Sequence, residues 1–327
     1  MTARRGESAT NEATRAAHEY GALLDAVRGI RWRADRRPPH AVTGAHEARR
    51  TAPSMEVMAH RPYRQGDDPR RLDWKLLART ERAYIRLAPS SSIAPTLLVV
   101  DASASMAAPP GGAGKWRVAR HVTIGVAAIA RAAGDPVGLA IAHADASLRL
   151  APRGRGDVVR ELMRVLDATA PAGDAACAPL LAPQRAVARV VIVSDLLGDA
   201  DAMRAAAATL VAHGTELHVA HVVAAGERAL AMAGAIAVDP EDDGLRRPLA
   251  RTAALAHDAT FAAWRAEERA AWQRIGARYL EVDDALPAAT WVRRLAAARD
   301  ATGREPASPD GAAPARAAGT PVTVGRA

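Results

Sequence analysis

Aromatic residues and cysteine are both scarce in this chain of 327 residues. Aromatics make up 3% of the chain although hydrophobic residues make up 49%, so the core must be built from Ala, Val, Leu and Ile. That composition favours an α/β protein over an aromatic-rich β-sandwich. The single cysteine, Cys177, cannot form an internal disulfide and lacks the His partnership of a catalytic thiol. It therefore predicts an inert side chain in a reducing compartment.

Long apolar runs are also missing. No segment reaches the roughly 18 uninterrupted apolar residues of a membrane span, because Arg131 interrupts the apolar stretch 122–133. The first seven residues contain Arg4, Arg5 and Glu7 and lack the apolar core of a signal peptide. These absences predict a soluble, cytoplasmic protein, and the length favours one or two domains.

Positive charge is concentrated in the first third of the chain. Residues 1–90 contain 18 Lys and Arg against 11 Asp and Glu, whereas residues 91–300 contain 23 of each. An excess of arginine suits nucleic acid or an acidic partner surface. Here the basic residues are interleaved with acidic ones, which favours a solvated, ion-paired face. Nucleic-acid binding through the Arg-rich residues 28–86 stays open as an alternative.

The hydrophobic pattern divides the chain into four segments. Residues 1–39 are predicted to contain an N-terminal helix (8–33), and residues 40–95 form an irregular, basic segment with a Gly-Asp-Asp-Pro turn. Over residues 96–300 strand-like and helix-like runs alternate, which predicts a doubly wound, mostly parallel, Rossmann-like sheet covered by helices on both faces. Residues 301–327 show no periodicity and are predicted to be disordered.

The pattern also predicts the individual elements. Strands are expected at 96–100, 137–143, 190–194, 216–223 and 277–282, with short extended pieces at 55–58 and 84–87. Helices are expected at 115–133, 156–168, 200–213, 253–276 and 287–299.

Oxygen-bearing side chains follow two of the predicted strands. Asp101, Ser103 and Ser105 come directly after the apolar run 96–100, and Ser194-Asp195 ends the run that begins at Val190. In a doubly wound sheet the ligand crevice lies outside the carboxyl ends of the strands. Oxygen ligands of this kind suit a hard divalent cation such as Mg²⁺ or Mn²⁺. The sequence therefore predicts a metal site formed by Asp101, Ser103, Ser105 and Asp195.

The segment upstream of this motif resembles a bacterial family, domain of unknown function 58. The resemblance lies in Tyr63, the Gly-Asp-Asp-Pro-Arg run 66–70, Asp73-Trp74 and Ala78-Arg79, followed by the Asp101 motif with Met106 and Lys115. It implies a von Willebrand factor A-like domain that resembles a metal-ion-dependent adhesion site, and we interpret the chain as a non-enzymatic protein-binding module. It also implies that the protein acts with a MoxR-type AAA+ ATPase, as its partner or adaptor, on a client protein in complex assembly or remodelling.

The resemblance further implies a role for each ligand. Ser103 and Ser105 would contact the ion directly, Asp101 and Asp195 would act largely through bound water, and an open position would accept a carboxylate from a partner. Adhesion sites of this type carry a Thr in a later loop. The matching segment here, Pro171 to Pro179, has no Thr, and Asp174 is the candidate that replaces it.

The remaining polar residues of the motif segment have a structural or docking interpretation. A turn with Arg–Asp pairs would tie the basic segment to the main domain or dock a partner, with Tyr63 and Trp74 as apolar anchors. The docking candidates are Tyr63, Asp67, Asp68, Arg70, Arg71, Asp73, Trp74 and Arg79.

Lys115 follows a Gly-rich loop, but Trp116 stands where a phosphate-binding loop needs Ser or Thr. ATP binding by this chain is therefore not expected, and Lys115 is predicted to orient the metal loop from the start of its helix. His218 and His221 would point to opposite faces of a strand, so they are poor co-ligands.

Enzymatic alternatives find little support in the sequence. A metal-dependent hydrolase needs a water-activating base near Asp101, and no candidate is visible. A haloacid-dehalogenase phosphatase needs a second Asp where Ser103 stands. The chain also contains no Gly-x-Ser-x-Gly motif and no recognisable Ser-His-Asp arrangement.

Overall fold

The structure is a computed structural model. In the part of the chain that it describes, there are ten strands and eight helices. The described residues are 19–32, 59–65, 69, 72–87, 93–108, 114–144, 147–182, 187–228, 236–239, 245–248 and 251–297. The strands are β1 (Ala59–Pro62), β2 (Tyr84–Leu87), β3 (Thr96–Asp101), β4 (Val137–Ala142), β5 (Leu148–Arg153), β6 (Arg189–Ser194), β7 (Glu216–Val222), β8 (Ile236–Asp239), β9 (Leu245–Pro248) and β10 (Arg278–Val282). The helices are α1 (residues 19–27), α2 (Trp74–Thr80), α3 (Lys115–Ala132), α4 (Val158–Ala168), α5 (Ala200–Ala212), α6 (Ala225–Arg228), α7 (Arg251–Arg274) and α8 (Ala288–Ala296).

Six strands form the central sheet in the order β10–β7–β6–β3–β4–β5. The first five are parallel, and β5 pairs antiparallel with β4 at the edge. From β3 the chain first moves outward to β4 and then returns to the other side of β3 to form β6. The strand order therefore reverses between β3 and β6, which makes their carboxyl ends the expected ligand crevice.

Helices cover both faces of this sheet. One face carries α1, α3, α4 and α8, whose apolar side chains share a core with those of β3 and β4. The other face carries α5, α7 and a 3₁₀ turn over Ala178–Leu181. Every residue of β3, β4 and β6 is buried, as expected for parallel strands that are covered on both faces.

The predicted fold class, a doubly wound and mostly parallel sheet, is confirmed. All five predicted strands and the five predicted helices of residues 96–300 are present, with ends that differ by at most a few residues. The structure adds β5, which the sequence analysis missed. Its side chains are mostly exposed and it contains Pro152, so it has neither the apolar run nor the alternation that identifies a strand.

The basic segment contains a small sheet of its own. β1 pairs antiparallel with β2, and α2 lies between them in sequence, with Asp73 as its N-cap. The extended piece predicted at 84–87 matches β2, whereas the piece predicted at 55–58 and the tail 301–327 lie outside the described residues. A second hairpin, β8–β9, which was not predicted, interrupts the chain between α6 and α7.

The amino edge of the central sheet holds a buried charged cluster. Arg189, at the start of β6, lies 3.4 Å from Asp135 and 3.3 Å from Glu216. Trp32, which follows α1, lies over the Arg189 guanidinium at 3.7 Å, and His218 bonds to Glu216 at 2.7 Å. The N-terminal segment is thus held against the edge of the sheet opposite the predicted site. Among the described residues, no helix combines the length and the apolar character that crossing a membrane requires.

Candidate functional site at the carboxyl edge of the sheet

The end of β3 folds back on itself through the carboxylate of Asp101. Oδ1 of Asp101 accepts a hydrogen bond from the backbone N–H of Ser103 at 2.9 Å, an Asx-type turn that ends the strand. A 3₁₀ turn over Ala104–Ala107 follows. This turn brings the hydroxyl of Ser105 to 3.1 Å from that of Ser103. The three residues predicted from the first motif therefore lie together, and all three are buried.

The end of β6 joins the same cluster. Because β3 and β6 are paired neighbours, Ser194 lies beside Asp101, and its hydroxyl donates to Oδ2 of Asp101 at 2.6 Å. Asp195 follows, fully within the interior, and its Oδ1 accepts the N–H of Leu197 at 3.2 Å. As expected from the sequence, the ends of β3 and β6 lie side by side, although Asp101 and Ser194 are 93 positions apart in the chain.

Lys115 contacts the second strand end. It starts α3, as predicted, and its ammonium Nζ lies 2.7 Å from Oδ2 of Asp195 and 2.7 Å from Oε1 of Glu227. Glu227 belongs to α6, just past the carboxyl end of β7. Glu227 was not predicted from the sequence, because no candidate residues were sought beyond the end of the strand that is now β7. The position of a third parallel strand end at the same edge is the signal that could have identified it.

The charges of the cluster shift the pKa values of its members. Burial, and then the negative charge of Asp195, raise the pKa of Asp101 above its usual value, against the hydrogen bonds from Ser194 and Ser103. For Lys115, burial lowers the pKa, but the charges of Asp195 and Glu227 outweigh it and the pKa is raised overall. The ammonium is therefore charged near neutral pH and compensates two carboxylates in the interior.

A third loop approaches the end of β3. The N–H of Ala104 donates to the carbonyl of Gly173, and the N–H of Ala172 donates to the carbonyl of Ala102. This is the loop in which a Thr ligand was expected. Asp174, the candidate replacement, is exposed, so its side chain is not buried with Asp101.

Cysteine and histidine were predicted to contribute no ligand to the site. Cys177 is buried, and its burial, together with the charges of Asp101 and Asp195, raises the pKa of the thiol well above its usual value, which keeps it protonated and unreactive. His218 packs against Trp32, whereas His221 bonds to the hydroxyl of Tyr279 under the other layer of helices. The two imidazoles thus lie on opposite faces of β7. Burial lowers the pKa of His221 to about 4.

The predicted docking residues are only partly within the described chain. Trp74 is 61% exposed, and Tyr63 and Arg79 are also exposed. Asp73 is buried, and its side chain accepts the N–H groups of Lys75 and Leu76, so it acts as a helix cap in the structure. Asp67, Asp68, Arg70 and Arg71 lie outside the described residues.

The donor chemistry of the cluster fits a hard divalent cation in kind. Two carboxylates and three hydroxyls converge there, and hydroxyl and carboxylate oxygens are the ligands that Mg²⁺ and Mn²⁺ prefer. Among the described residues, no group of three or more His, Cys, Asp or Glu side chains is arranged to hold a metal. A cation at this edge would therefore depend on Ser103 and Ser105 as well as on the carboxylates.

Comparison with known proteins gives a family match and several relatives. The family model described as "Protein of unknown function DUF58" matches residues 59–271. Uncharacterized proteins of Mycobacterium tuberculosis (strain H37Rv) and of Mycobacterium bovis are 32% identical to the chain over 168 residues. That alignment covers 49% of this chain and 53% of each relative, so the chain spans about half the length of the curated relatives it matches.

The solved structures that align with this chain have low sequence identity to it. BatB from Bacteroides thetaiotaomicron is 14% identical with a TM-score of 0.41, and the alignment covers 61% of this chain and 95% of BatB. An aerotolerance-related membrane protein from Bacteroides fragilis is 15% identical with a TM-score of 0.41, covering 62% and 98% of the two chains. The von Willebrand A domain of SpRpn10 is 11% identical with a TM-score of 0.36, covering 61% and 94%.

Proposed function

The chain is a member of the family described as "Protein of unknown function DUF58", and we propose that it is a non-enzymatic, von Willebrand A-like module that binds a protein partner at the carboxyl edge of β3 and β6. One observation carries the proposal. Asp101, Ser103 and Ser105 are buried together beside Asp195 at the point where the strand order reverses. Oxygen ligands at that position suit ion-assisted recognition.

A Mg²⁺ or Mn²⁺ ion is part of this proposal. The hydroxyls of Ser103 and Ser105 would hold the ion, with Asp101 and Asp195 balancing its charge. When bound, the ion supplies an open coordination position that a carboxylate of the partner protein can fill.

The proposal of a non-enzymatic role rests on the hydrogen bonds and ion pairs that the polar groups of the site already make. Both carboxylate oxygens of Asp101 already accept hydrogen bonds, and Asp195 is paired with Lys115. A hydrolase would need a general base that faces a substrate. Near the cluster, the thiol of Cys177 is protonated and the imidazole of His221 is engaged with Tyr279. Neither group is placed for that task.

The partner that we propose is a MoxR-type AAA+ ATPase together with its client protein, in the cytoplasm. Two exposed apolar side chains support protein binding. Leu197 is 49% exposed directly beyond Asp195, and Trp74 is more exposed still on α2 of the basic segment. Tryptophan is enriched in the core of protein interfaces relative to the rest of the surface.

The experiment that tests this function is a calorimetric titration of the full chain with Mg²⁺ and Mn²⁺, beside Asp101→Asn. Asparagine keeps the shape of Asp101 and can still pair with Ser103 and Ser194, so the variant should fold. Its stability should be unchanged or increased, since the repulsion between Asp101 and Asp195 is removed. We expect ion binding and ion-dependent capture of the ATPase to be lost together.

Asp157→Asn is the matched control, because Asp157 caps α4 at the opposite edge of the sheet. It should bind ions and partner as the original protein does. Normal partner capture by Asp101→Asn would contradict the mechanism. If the chain instead retained DNA or RNA in a salt-sensitive manner, and a fragment of residues 28–86 did so as well, the nucleic-acid alternative would be favoured.

A further inference from the structure

Lys115 is an unusual residue for this chain. Of the 44 basic residues only two are lysines, Lys75 and Lys115, and the other 42 are arginines. Lys75 lies exposed on α2, whereas Lys115 is 2% exposed at the centre of the candidate site. A lysine ammonium is a compact point charge with three donors, and it resembles a small cation more closely than a planar guanidinium does.

The ammonium of Lys115 has the surroundings of a bound cation. Its two contacts, to Asp195 and to Glu227, are both 2.7 Å long, the length of a strong charge-assisted hydrogen bond. Its partner Asp195 uses its second oxygen to accept the N–H of Leu197. Each oxygen of Asp195 therefore already accepts one hydrogen bond while Lys115 is in place.

Asp195 directly follows Ser194, whose hydroxyl donates to Oδ2 of Asp101 at 2.6 Å, so the two carboxylates lie at the ends of paired strands. A divalent ion held by Ser103 and Ser105, with Asp101 and Asp195 balancing its charge, would share Asp195 with Lys115, and two like charges beside one buried carboxylate repel each other. The single negative charge of Asp195 cannot neutralise both cations at once.

We propose that Lys115 is the resident cation of this site and that it competes with a divalent ion for Asp195. This proposal rests on the proposed function, since it concerns the ion that this function uses. In the ion-free state Lys115 holds Asp195 and Glu227 together. In the ion-bound state Asp195 turns to the ion, and Lys115 keeps Glu227 alone.

Glu227 connects this exchange to the protein surface. Its second oxygen accepts the N–H of Ala224 at 2.8 Å, so it fixes the start of α6. The next residue, Arg228, pairs with Asp283 at 3.0 Å in the loop after β10. A change at Lys115 is thus passed to α6 and to the end of β10, both at the edge where the partner is proposed to bind.

The first test compares ion affinities by calorimetry in the full chain. Lys115→Met removes the competing charge and frees Asp195, so we expect Mn²⁺ to bind about tenfold more tightly, within the usual range of a coupling between two sites. Glu227→Gln leaves Asp195 as the only charged partner of Lys115 among the described residues, so Mn²⁺ should bind more weakly. Lys75→Met is the matched control and should leave the affinity unchanged.

The second test needs no substitution at the site. Acetylation of lysine amines is followed peptide by peptide by mass spectrometry, with and without saturating Mg²⁺. Without the ion, Lys75 should react readily and Lys115 should be protected. With the ion, Lys115 should react several-fold faster relative to Lys75, which serves as the internal reference, because it loses one of two buried partners.

The outcomes separate this proposal from the proposed function. Saturable ion binding with equal affinity in Lys115→Met, or with unchanged protection of Lys115, overturns the competition and leaves ion-assisted binding intact. Ion binding that appears only in Lys115→Met supports the competition in its strongest form, in which Lys115 excludes the ion. If neither protein binds an ion, the competition and the ion of the proposed function are both wrong.

Discussion

Leu196 holds a backbone conformation that leucine rarely adopts. Its φ is 59°, in the left-handed region that favours glycine. Its N–H donates to the hydroxyl of Ser194, and its side chain is 1% exposed in the core under α5 and α7. Burial of this side chain therefore sustains a strained turn, and that turn directs Asp195 into the interior and Leu197 outward. Strain of this kind is common at binding sites.

Two substitutions at Leu196 separate the strain from the burial. Leu196→Ala loses most of the buried side chain and keeps the strain, so it should lower the free energy of unfolding by about 2–5 kcal/mol. Leu196→Gly loses the same contacts but relieves the strain, and it should be as stable as the Ala variant or more stable by up to about 1 kcal/mol. Urea unfolding measures both values.

Leu197, whose φ is not positive, is the control position for this comparison. There the Gly variant should be less stable than the Ala variant, because glycine loses more conformational entropy on folding. A Leu196→Gly protein that is clearly less stable than Leu196→Ala would show that the turn is not strained.

At the scale of elements, the approach of α3 to α8 depends on one small residue. A Cβ added to Gly125 in α3 would lie 2.5 Å from Cγ2 of Val292 in α8. Glycine within a helix costs about 1 kcal/mol relative to alanine, so its presence here needs a reason. The close contact of the two helices supplies that reason.

Gly125→Ala should therefore destabilise the protein despite its better helix propensity. Overpacking costs about 1–3 kcal/mol, and an approach of 2.5 Å favours the upper part of that range, above the gain of about 1 kcal/mol in propensity. Gly21→Ala in α1 is the matched control, since a Cβ there meets nothing within 4 Å, and it should stabilise. Thermal or urea unfolding measures both, and the cost of Gly125→Ala should fall in a Val292→Ala background. An equal gain at both glycines would contradict the packing argument.

How far each element could be predicted follows from its burial. β3, β4 and β6 are buried along their whole length, so each appears in the sequence as an apolar run with turn residues at its ends. β5 lacks such a run, because it lies at the edge of the sheet with mostly exposed side chains. For the same reason the pattern could not predict that β5 runs antiparallel.

At the scale of the whole molecule, the two edges of the sheet have different electrostatics. The carboxyl edge carries the candidate site, whereas the amino edge carries Arg189 between Asp135 and Glu216, covered by Trp32. Burial alone would raise the pKa of Glu216, but its hydrogen bond with His218 and the charge of Arg189 lower the pKa to about 2. The amino edge therefore contributes stability that depends on an ionised Glu216.

The stability of the protein should fall in acid for this reason. An unfolded Glu216 binds its proton near its ordinary pKa of 4.5, whereas the folded one stays ionised to about pH 2. The unfolded state thus binds more protons between these values, and stability is lost as the pH falls through that window. The loss from this residue is about 3 kcal/mol.

Glu216→Gln isolates this contribution. It should be less stable at pH 7, by on the order of 3 kcal/mol, because Arg189 loses a buried partner. The difference between the two proteins should shrink as the pH falls from 4.5 towards 2. Urea unfolding across that range measures it, and a difference that stays constant with pH would contradict the assignment.

The sequence by itself determined the doubly wound sheet and the meeting of its two motifs. Apolar runs that end in Asp101 and in Ser194-Asp195 predict parallel strands whose carboxyl ends lie at one edge, because a parallel sheet aligns all its strand ends. Only the tertiary structure decided how Lys115 is used. Its partners Asp195 and Glu227 lie 80 and 112 positions away, and such pairing depends on how helices pack over strand ends. Hydrophobic periodicity carries no record of that packing, because it reports which face of an element is buried and not which side chains meet there.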